Sequence, residues 1–175
     1  KAAQITKDSG FDAIKTDPFP TLCFTHQSGF ECLKEKKKNK SVITTPTYCT
    51  NSTEFSGVSE VERLTPRSIR ESVEWMEVLR STLGEDYELM VDAHARFDVA
   101  SAINAGKALE KINLIWLEEP IHVENHNALQ QVKENTNIPL CVGERHFTRW
   151  DYTEILNKRL VEYIMPDVAW CGGIS

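Results

Sequence analysis

Three acidic residues recur at equal spacing along the chain, each after a short apolar segment. They are Asp92, Glu118 and Glu144, and 26 residues separate each from the next. A repeat of one strand and one helix has about that length and returns the chain to the same edge of a parallel sheet, so these side chains are predicted to meet there. Adjacent carboxylates repel one another unless a cation neutralises them, and oxygen ligands suit Mg²⁺ or Mn²⁺ better than zinc. The spacing therefore predicts a divalent metal site, whereas a single such acid would be interpreted as a helix cap or a surface charge.

Four further side chains near these acids have chemistry to offer. His94 follows the first acid by two residues, so at an extended strand end it lies on the same face, and its near-neutral reference pKa suits a catalytic acid. Lys15 ends another apolar segment, where it can steady a substrate carboxylate or form a structural ion pair. Arg145 directly follows the third acid and can bind an active-site carboxylate or a substrate oxygen. His146 is predicted to line the pocket at the same rim.

The elements that must position these residues alternate between short apolar runs and stretches of helical period, which is typical of an α/β fold. The predicted strands are Ala13–Lys15, Glu88–Val91, Leu114–Leu117, Leu140–Val142 and Tyr163–Met165. Four helices are predicted. The first occupies residues 1–9, the second begins after the cap Thr65, the third begins after the cap Asp98, and the fourth runs from about 126 to 134. Residues 18–60 lack periodicity and are longer than a usual connection, so we predict an insertion there.

Composition and charge exclude several classes of function. A net charge of −6 argues against a nucleic-acid or anionic-membrane surface, because either needs an excess of Lys and Arg. No apolar run reaches the ~18 to 20 residues that span a bilayer. The five cysteines form no CxxC pair, which argues against a disulfide framework or a zinc ribbon and favours the cytoplasm.

Four motifs give the chain a resemblance to a known family. They are VDAHAR at 91–96, WLEEP at 116–120, IPLCVGER at 138–145, and MPD at 165–167 followed by CGGI at 171–174. In these motifs the chain resembles the enolase superfamily, and the resemblance covers roughly residues 1–17 and 66–175. Within the superfamily the chain is most similar to the mandelate racemase-like branch, which includes acid-sugar dehydratases of the D-galactonate dehydratase kind. The resemblance implies a partial (β/α)-barrel of the TIM type with about five parallel strands. It also implies one Mg²⁺ per site with Mn²⁺ as the alternative, a small-molecule acid-sugar substrate and a homo-oligomer.

The resemblance further implies roles for individual residues. The three carboxylates would hold Mg²⁺, which chelates the substrate carboxylate and stabilises the enediolate formed when the α-proton leaves. His94 would protonate the departing hydroxyl, and Asp167 would orient a histidine on the following strand as the base, although the chain stops at Ser175 before such a histidine. Asp17 stands where the racemase branch often has a second lysine, and we place it among the substrate-binding residues. Its presence weakens the case for a two-base racemase and favours a dehydratase or a related syn-elimination. A racemase, epimerase or cycloisomerase that uses the same enediolate is the alternative.

The length of the chain sets an expectation about its extent. Since a full barrel takes ~250 residues, we expect residues 1–175 to be a fragment of the C-terminal barrel domain, with the N-terminal capping domain and the last barrel strands absent. The alternative from a different class is a non-catalytic half-barrel that serves as a binding unit.

Overall fold

The computed structural model describes residues 2–19 and 63–174, in which a parallel sheet alternates with helices. The strands are β1 (Ala13–Thr16), β2 (Glu88–Asp92), β3 (Trp116–Glu118), β4 (Leu140–Val142) and β5 (Tyr163–Ile164). The α-helices are α1 (Ala2–Asp8), α2 (Pro66–Leu83), α3 (Val99–Leu109), α4 (His126–Asn135) and α5 (Tyr152–Lys158), and a 3₁₀ turn covers Glu110–Ile112. The predicted insertion at 18–60 lies, apart from Pro18 and Phe19, outside the described residues.

The five strands follow one another in the sheet in chain order, and every pairing is parallel. This confirms the predicted α/β fold with five parallel strands. Strand ends differ slightly from the prediction: β1 and β2 continue to Thr16 and Asp92, β3 is shifted toward Glu118, and β5 stops at Ile164. Because all strands run in the same direction, the residues that follow them meet at one edge of the sheet.

Both predicted helix caps form the hydrogen bonds that a cap requires. Thr65 Oγ1 accepts a hydrogen bond from the Ser68 amide at 3.0 Å, and Pro66 occupies the first turn of α2, where an N–H would lack a helical partner anyway. The Asp98 carboxylate accepts a hydrogen bond from the Ser101 amide at 2.7 Å at the start of α3. Each cap contributes about 1 kcal/mol to stability.

Helix α2 packs one face against the sheet because its apolar residues recur at helical spacing. The buried members of this face are Val73, Met76, Leu79 and Leu83. Arg80 lies on the same helix and is also buried, and its guanidinium donates to five backbone carbonyls in the turns before β2 and β3, at 2.6 to 3.1 Å. These bonds satisfy carbonyls that would otherwise lack partners and fix the amino ends of both strands.

Helix α5 is the one described helix that the sequence does not predict. It has seven residues, of which Tyr152 and Ile155 are buried, and two buried positions are too few to reveal a helical period. The helix ends at Lys158, and Arg159, the residue that follows, adopts a left-handed φ of 51°. Burial of Ile155 against the sheet, rather than a local signal, specifies this helix.

Helix α2 has 18 residues and carries charged side chains along its length. In the described part of the chain, no helix has both the length and the apolar character needed to cross a membrane.

Candidate metal centre

The three predicted metal ligands converge at the carboxyl edge of the sheet. Asp92, the last residue of β2, pairs in register with Glu118, the last residue of β3. Glu144 lies just beyond β4. One oxygen from each carboxylate lies within 4.8 Å of the other two, a separation that a single bound ion can bridge. Asp92 and Glu118 are buried, so their mutual repulsion is poorly screened by water.

Gly143 fixes the loop that carries the third carboxylate. Its φ is 151°, and a Cβ at this position would lie 2.6 Å from the backbone carbonyl of Met165, just after β5. The Tyr152 hydroxyl of α5 donates to the Gly143 carbonyl at 2.8 Å. Only glycine permits this close approach, which holds Glu144 at the sheet edge.

Lys15, on β1, neutralises part of the carboxylate cluster. Its Nζ lies 2.8 and 2.9 Å from the two oxygens of Glu118 and 3.2 Å from Asp92 Oδ2. Trp116 Nε1 also donates to Glu118, at 3.1 Å. Burial lowers the pKa of Lys15, but its hydrogen bonds and the charges of the two acids outweigh burial and raise that pKa above its usual value. The structure thus contains the ion pair, and contact with a substrate carboxylate stays a prediction.

His94 faces the same cluster, although not from an extended strand end. Its φ is 53° and that of Ala95 is 59°, so the chain turns here in the left-handed region and the prediction of an extended backbone is wrong. The reason is local: the His94 amide donates to Asp92 Oδ1 at 2.9 Å, which closes a turn on the first carboxylate. Imidazole Nε2 still lies 3.5 Å from Asp92 Oδ2, while Nδ1 lies 3.3 Å from Asp17 Oδ2.

Asp17 links His94 to Arg96, an arginine that residue type and spacing alone did not predict as part of the site. Arg96 Nη2 donates to Asp17 Oδ2 at 2.6 Å, and Asp17 Oδ1 accepts from the Phe19 amide at 3.0 Å. The hydrogen bond with Asp17 is the largest cause that raises the pKa of His94 above its usual value, and burial and Arg96 oppose it. Arg96 stands two residues after His94 in the 91–96 motif, which is the signal that could have identified it.

Glu119 and Arg145 form a second acid–arginine pair on the other side of the cluster. Arg145 Nε donates to Glu119 Oε2 at 2.7 Å, and its Nη2 lies 3.3 Å from Glu144 Oε1. Glu119 is fully buried at a left-handed φ of 39°, and its Oε1 has no hydrogen-bond partner among the described residues. Burial raises the pKa of Glu119 to about 7, against the opposing charge of Arg145.

His146 lies behind the loop of Glu144 and is buried. Its ring stands 6.2 Å from that of His126 and 5.3 Å from that of Tyr152. Neither ring nitrogen has a hydrogen-bond partner within the described residues, and burial lowers its pKa. In this structure the His146 ring packs against aromatic neighbours. Contact of His146 with a substrate stays a prediction.

Asp167 lies in the exposed loop after β5. Its Oδ1 accepts hydrogen bonds from the amides of Ala169 and Trp170, at 2.8 and 3.0 Å, so the carboxylate organises its own loop. Trp170 stacks on Phe147 at 5.0 Å, which joins this loop to the one after β4. The predicted role of Asp167 in orienting a base stays a prediction.

Comparison with known proteins identifies the architecture that surrounds this cluster. The family described as "Enolase C-terminal domain-like" matches residues 1–175. The chain belongs to this family. An arabinonate dehydratase from Saccharolobus solfataricus is 33% identical over 121 residues, which cover 69% of this chain and 32% of the relative. A D-mannonate dehydratase from Novosphingobium aromaticivorans is 39% identical over 99 residues, which cover 57% of this chain and 25% of the relative.

Solved structures extend the likeness over nearly the whole chain. A mandelate racemase/muconate lactonizing enzyme-like protein from Rubrobacter xylanophilus shares 33% identity at a TM-score of 0.73, and the match covers 98% of this chain and 36% of that protein. A member of the enolase superfamily from Salmonella Typhimurium shares 28% identity at a TM-score of 0.73, and the match covers 99% of this chain and 37% of that protein. The five-stranded sheet is therefore part of an enolase-superfamily (β/α)-barrel, and the chain spans about a third of the length of these proteins.

The donor set of this enolase-superfamily barrel edge fits a hard divalent cation. Three carboxylates supply oxygen alone, which suits Mg²⁺ or Mn²⁺ rather than a softer metal. Cys141 pairs in register with Glu118, but its sulfur is not among the ligand atoms that converge, and thiolate is a soft ligand that does not suit these hard cations. Asp92, Glu118 and Glu144 are the residues that would hold the ion.

Proposed function

We propose that the protein carrying this chain is a Mg²⁺-dependent acid-sugar dehydratase, a hydro-lyase that removes the α-proton of a sugar-acid carboxylate and eliminates water. The observation that carries the proposal is the convergence of Asp92, Glu118 and Glu144, with His94 in contact with the first of them. The activities after which the relatives are named, arabinonate and D-mannonate dehydratase among them, support acid sugars as the substrate class.

The proposed reaction needs an acid for the leaving group. A bound Mg²⁺ would withdraw charge from the substrate carboxylate and so make the α-proton easier to remove. A base that Asp167 would orient takes the α-proton, and the electrons of the broken carbon–hydrogen bond form the carbon–carbon double bond as the carbon–oxygen bond breaks. His94 donates its proton to the departing hydroxyl, which leaves as water, and the resulting enol tautomerises to a 2-keto acid. Its contact with Asp17 raises the pKa of His94, which keeps a larger fraction of the imidazole protonated near neutral pH.

Two other cationic side chains have proposed places in this scheme. Lys15 reaches Glu118 and Asp92 from β1, and from there its ammonium can hydrogen-bond the substrate carboxylate. Arg145 supports Glu144 while it binds Glu119, so it can present a remaining N–H to a substrate oxygen. Asp167 would orient the base, as the resemblance implies. Homo-oligomer formation and a cytoplasmic location stay predictions.

The metal part of the proposal is tested by titrating Mg²⁺ into the metal-free protein by calorimetry. We expect Glu118→Gln and Glu144→Gln each to weaken Mg²⁺ binding by at least ~100-fold, because each removes an anionic ligand from a three-carboxylate site. Glu71→Gln on α2 is the matched control, since the Glu71 side chain is 41% exposed and pairs with Arg67. Mg²⁺ affinity that is unchanged in both ligand variants would contradict the assignment.

The reaction part is tested by incubating the protein with a panel of acid sugars and measuring 2-keto acid formation. Exchange of the α-proton for deuterium without loss of water would point to a racemase or epimerase instead. If Mg²⁺ binds but neither product nor exchange appears with any sugar acid, the dehydratase proposal is refuted.

A further inference from the structure

The ammonium group of Lys15 occupies much of the hydrogen-bonding capacity of the central carboxylate. Glu118 Oε1 accepts from Lys15 at 2.8 Å, and Oε2 accepts from both Lys15 at 2.9 Å and Trp116 Nε1 at 3.1 Å. A carboxylate has about four lone-pair positions, so three are already in use. An ion at this carboxylate must take the remaining position or displace the ammonium.

The same ammonium group also lies against the first carboxylate. Lys15 Nζ is 3.2 Å from Asp92 Oδ2, so one positive charge contacts two of the three acids. Asp92 and Glu118 are buried, with side chains 7% and 0% exposed. Like charges interact strongly in such a poorly solvated place, so a divalent cation bound there would be repelled by an ammonium that stayed.

We propose that Lys15 is a built-in counter-cation that competes with the metal, so that Mg²⁺ and an anionic ligand bind this site cooperatively. The proposal rests on the proposed function, since it assumes that Mg²⁺ binds at the three acids. In the metal-free state Lys15 limits carboxylate repulsion, and it must withdraw from Glu118 when the ion binds. An α-hydroxy acid at the ion offers the displaced ammonium a new carboxylate partner.

The placement of Lys15 permits this movement. Its side chain is 39% exposed, and lysine carries its charge at the end of four flexible methylene groups. The backbone of Lys15 is held in β1, where it pairs in register with Met90 of β2. The ammonium can therefore exchange one carboxylate for another while the sheet stays unchanged. By linkage, any anion that stabilises the withdrawn position strengthens Mg²⁺ binding, and Mg²⁺ strengthens anion binding by the same factor.

The test compares Mg²⁺ binding to wild-type protein and to Lys15→Met by calorimetry, without and with glycolate. Glycolate is an α-hydroxy acid with no β-hydroxyl to lose, so no turnover occurs. Without glycolate, we expect Lys15→Met to bind Mg²⁺ about tenfold tighter than wild type, because one competing charge is gone. Glycolate ligates the ion and should therefore tighten Mg²⁺ binding in both proteins, but by several-fold more in wild type than in Lys15→Met, because only wild type has an ammonium to draw away from the acids.

Two further variants keep the test decisive. Lys111→Met removes the same charge from an exposed pair with Glu77 in the turn before β3, at the opposite edge of the sheet from the acids, and should bind Mg²⁺ as wild type does. If Lys15→Met does not fold, Lys15→Gln replaces it with the same expectation. Equal or weaker Mg²⁺ binding by the Lys15 variant, in protein that still binds the ion, overturns the inference alone. Absence of Mg²⁺ binding in wild type and variant overturns the proposed function and, with it, the inference.

Discussion

The buried carboxyl group of Glu119 makes a specific prediction about stability and pH. In the unfolded chain its pKa is near 4.5, and in the folded protein burial raises it to about 7. Between these values the folded state keeps a proton that the unfolded state releases, so stability falls as pH rises. At ~1.4 kcal/mol for each unit, the loss across this window is on the order of 3 kcal/mol. Glu119→Gln cannot ionise and should lack this loss.

The measurement is urea denaturation of wild type and Glu119→Gln at pH 5 and pH 8, with chelator present to keep the protein metal-free. We expect the stability of Glu119→Gln relative to wild type to increase by about 2.5 kcal/mol from pH 5 to pH 8, because part of the window lies below pH 5. Glu71→Gln controls for the loss of one surface carboxylate. A difference between wild type and Glu119→Gln that is constant with pH, or that shrinks as pH rises, would refute the argument that burial dominates at this residue.

Three further predictions concern other residues at the same edge of the sheet. His94→Asn should lower kcat by about 10²- to 10⁴-fold in a dehydration assay while calorimetric Mg²⁺ affinity stays near that of wild type, because the imidazole supplies a proton and not a ligand. Asp17→Asn should lower the pKa of His94, measured by NMR titration, because the hydrogen bond with Asp17 is the largest cause of the raised value. Protonated His94 stabilises the fold below pH ~6.5, and this stabilisation disappears as pH rises through the folded pKa. The stabilisation should therefore be smaller in Asp17→Asn. Gly143→Ala should cost about 3 kcal/mol in chemical denaturation, because the added Cβ meets the Met165 carbonyl at 2.6 Å, and a loss under ~0.5 kcal/mol would contradict the close approach.

Periodicity and spacing were sufficient to predict the sheet and its three convergent acids. Strand–helix repeats of equal length return Asp92, Glu118 and Glu144 to one edge, a consequence of parallel topology that needs no knowledge of side-chain conformation. The caps Thr65 and Asp98 were predictable for a similar reason, since a cap depends on residues within one turn of it. Features determined over a few residues, or by the repeat length alone, can thus be recognised in the sequence.

Features that depend on contacts across the sheet were not predictable in the same way. Helix α5 is short and is held by burial of Ile155, which no local pattern reveals. The left-handed φ of His94 follows from a hydrogen bond to the Asp92 side chain, and it contradicts the extended conformation that strand alternation suggested. Arg96 reaches Asp17 from 79 positions away in the chain, so their pairing appears only once β1 and β2 lie side by side.

The two acid–arginine pairs explain why the sheet edge offers three metal ligands although more acids lie there. Arg96, after β2, binds Asp17, after β1, at 2.6 Å; Arg145, after β4, binds Glu119, after β3, at 2.7 Å. In both pairs an arginine from one loop neutralises an acid from the preceding strand end, so neighbouring strands are joined where their backbone pairing stops. Asp17 and Glu119 are thereby committed to guanidinium partners. Glu144 meets Arg145 only at 3.3 Å and has no other described cation against it, so it remains available to a metal together with the two acids that Lys15 contacts.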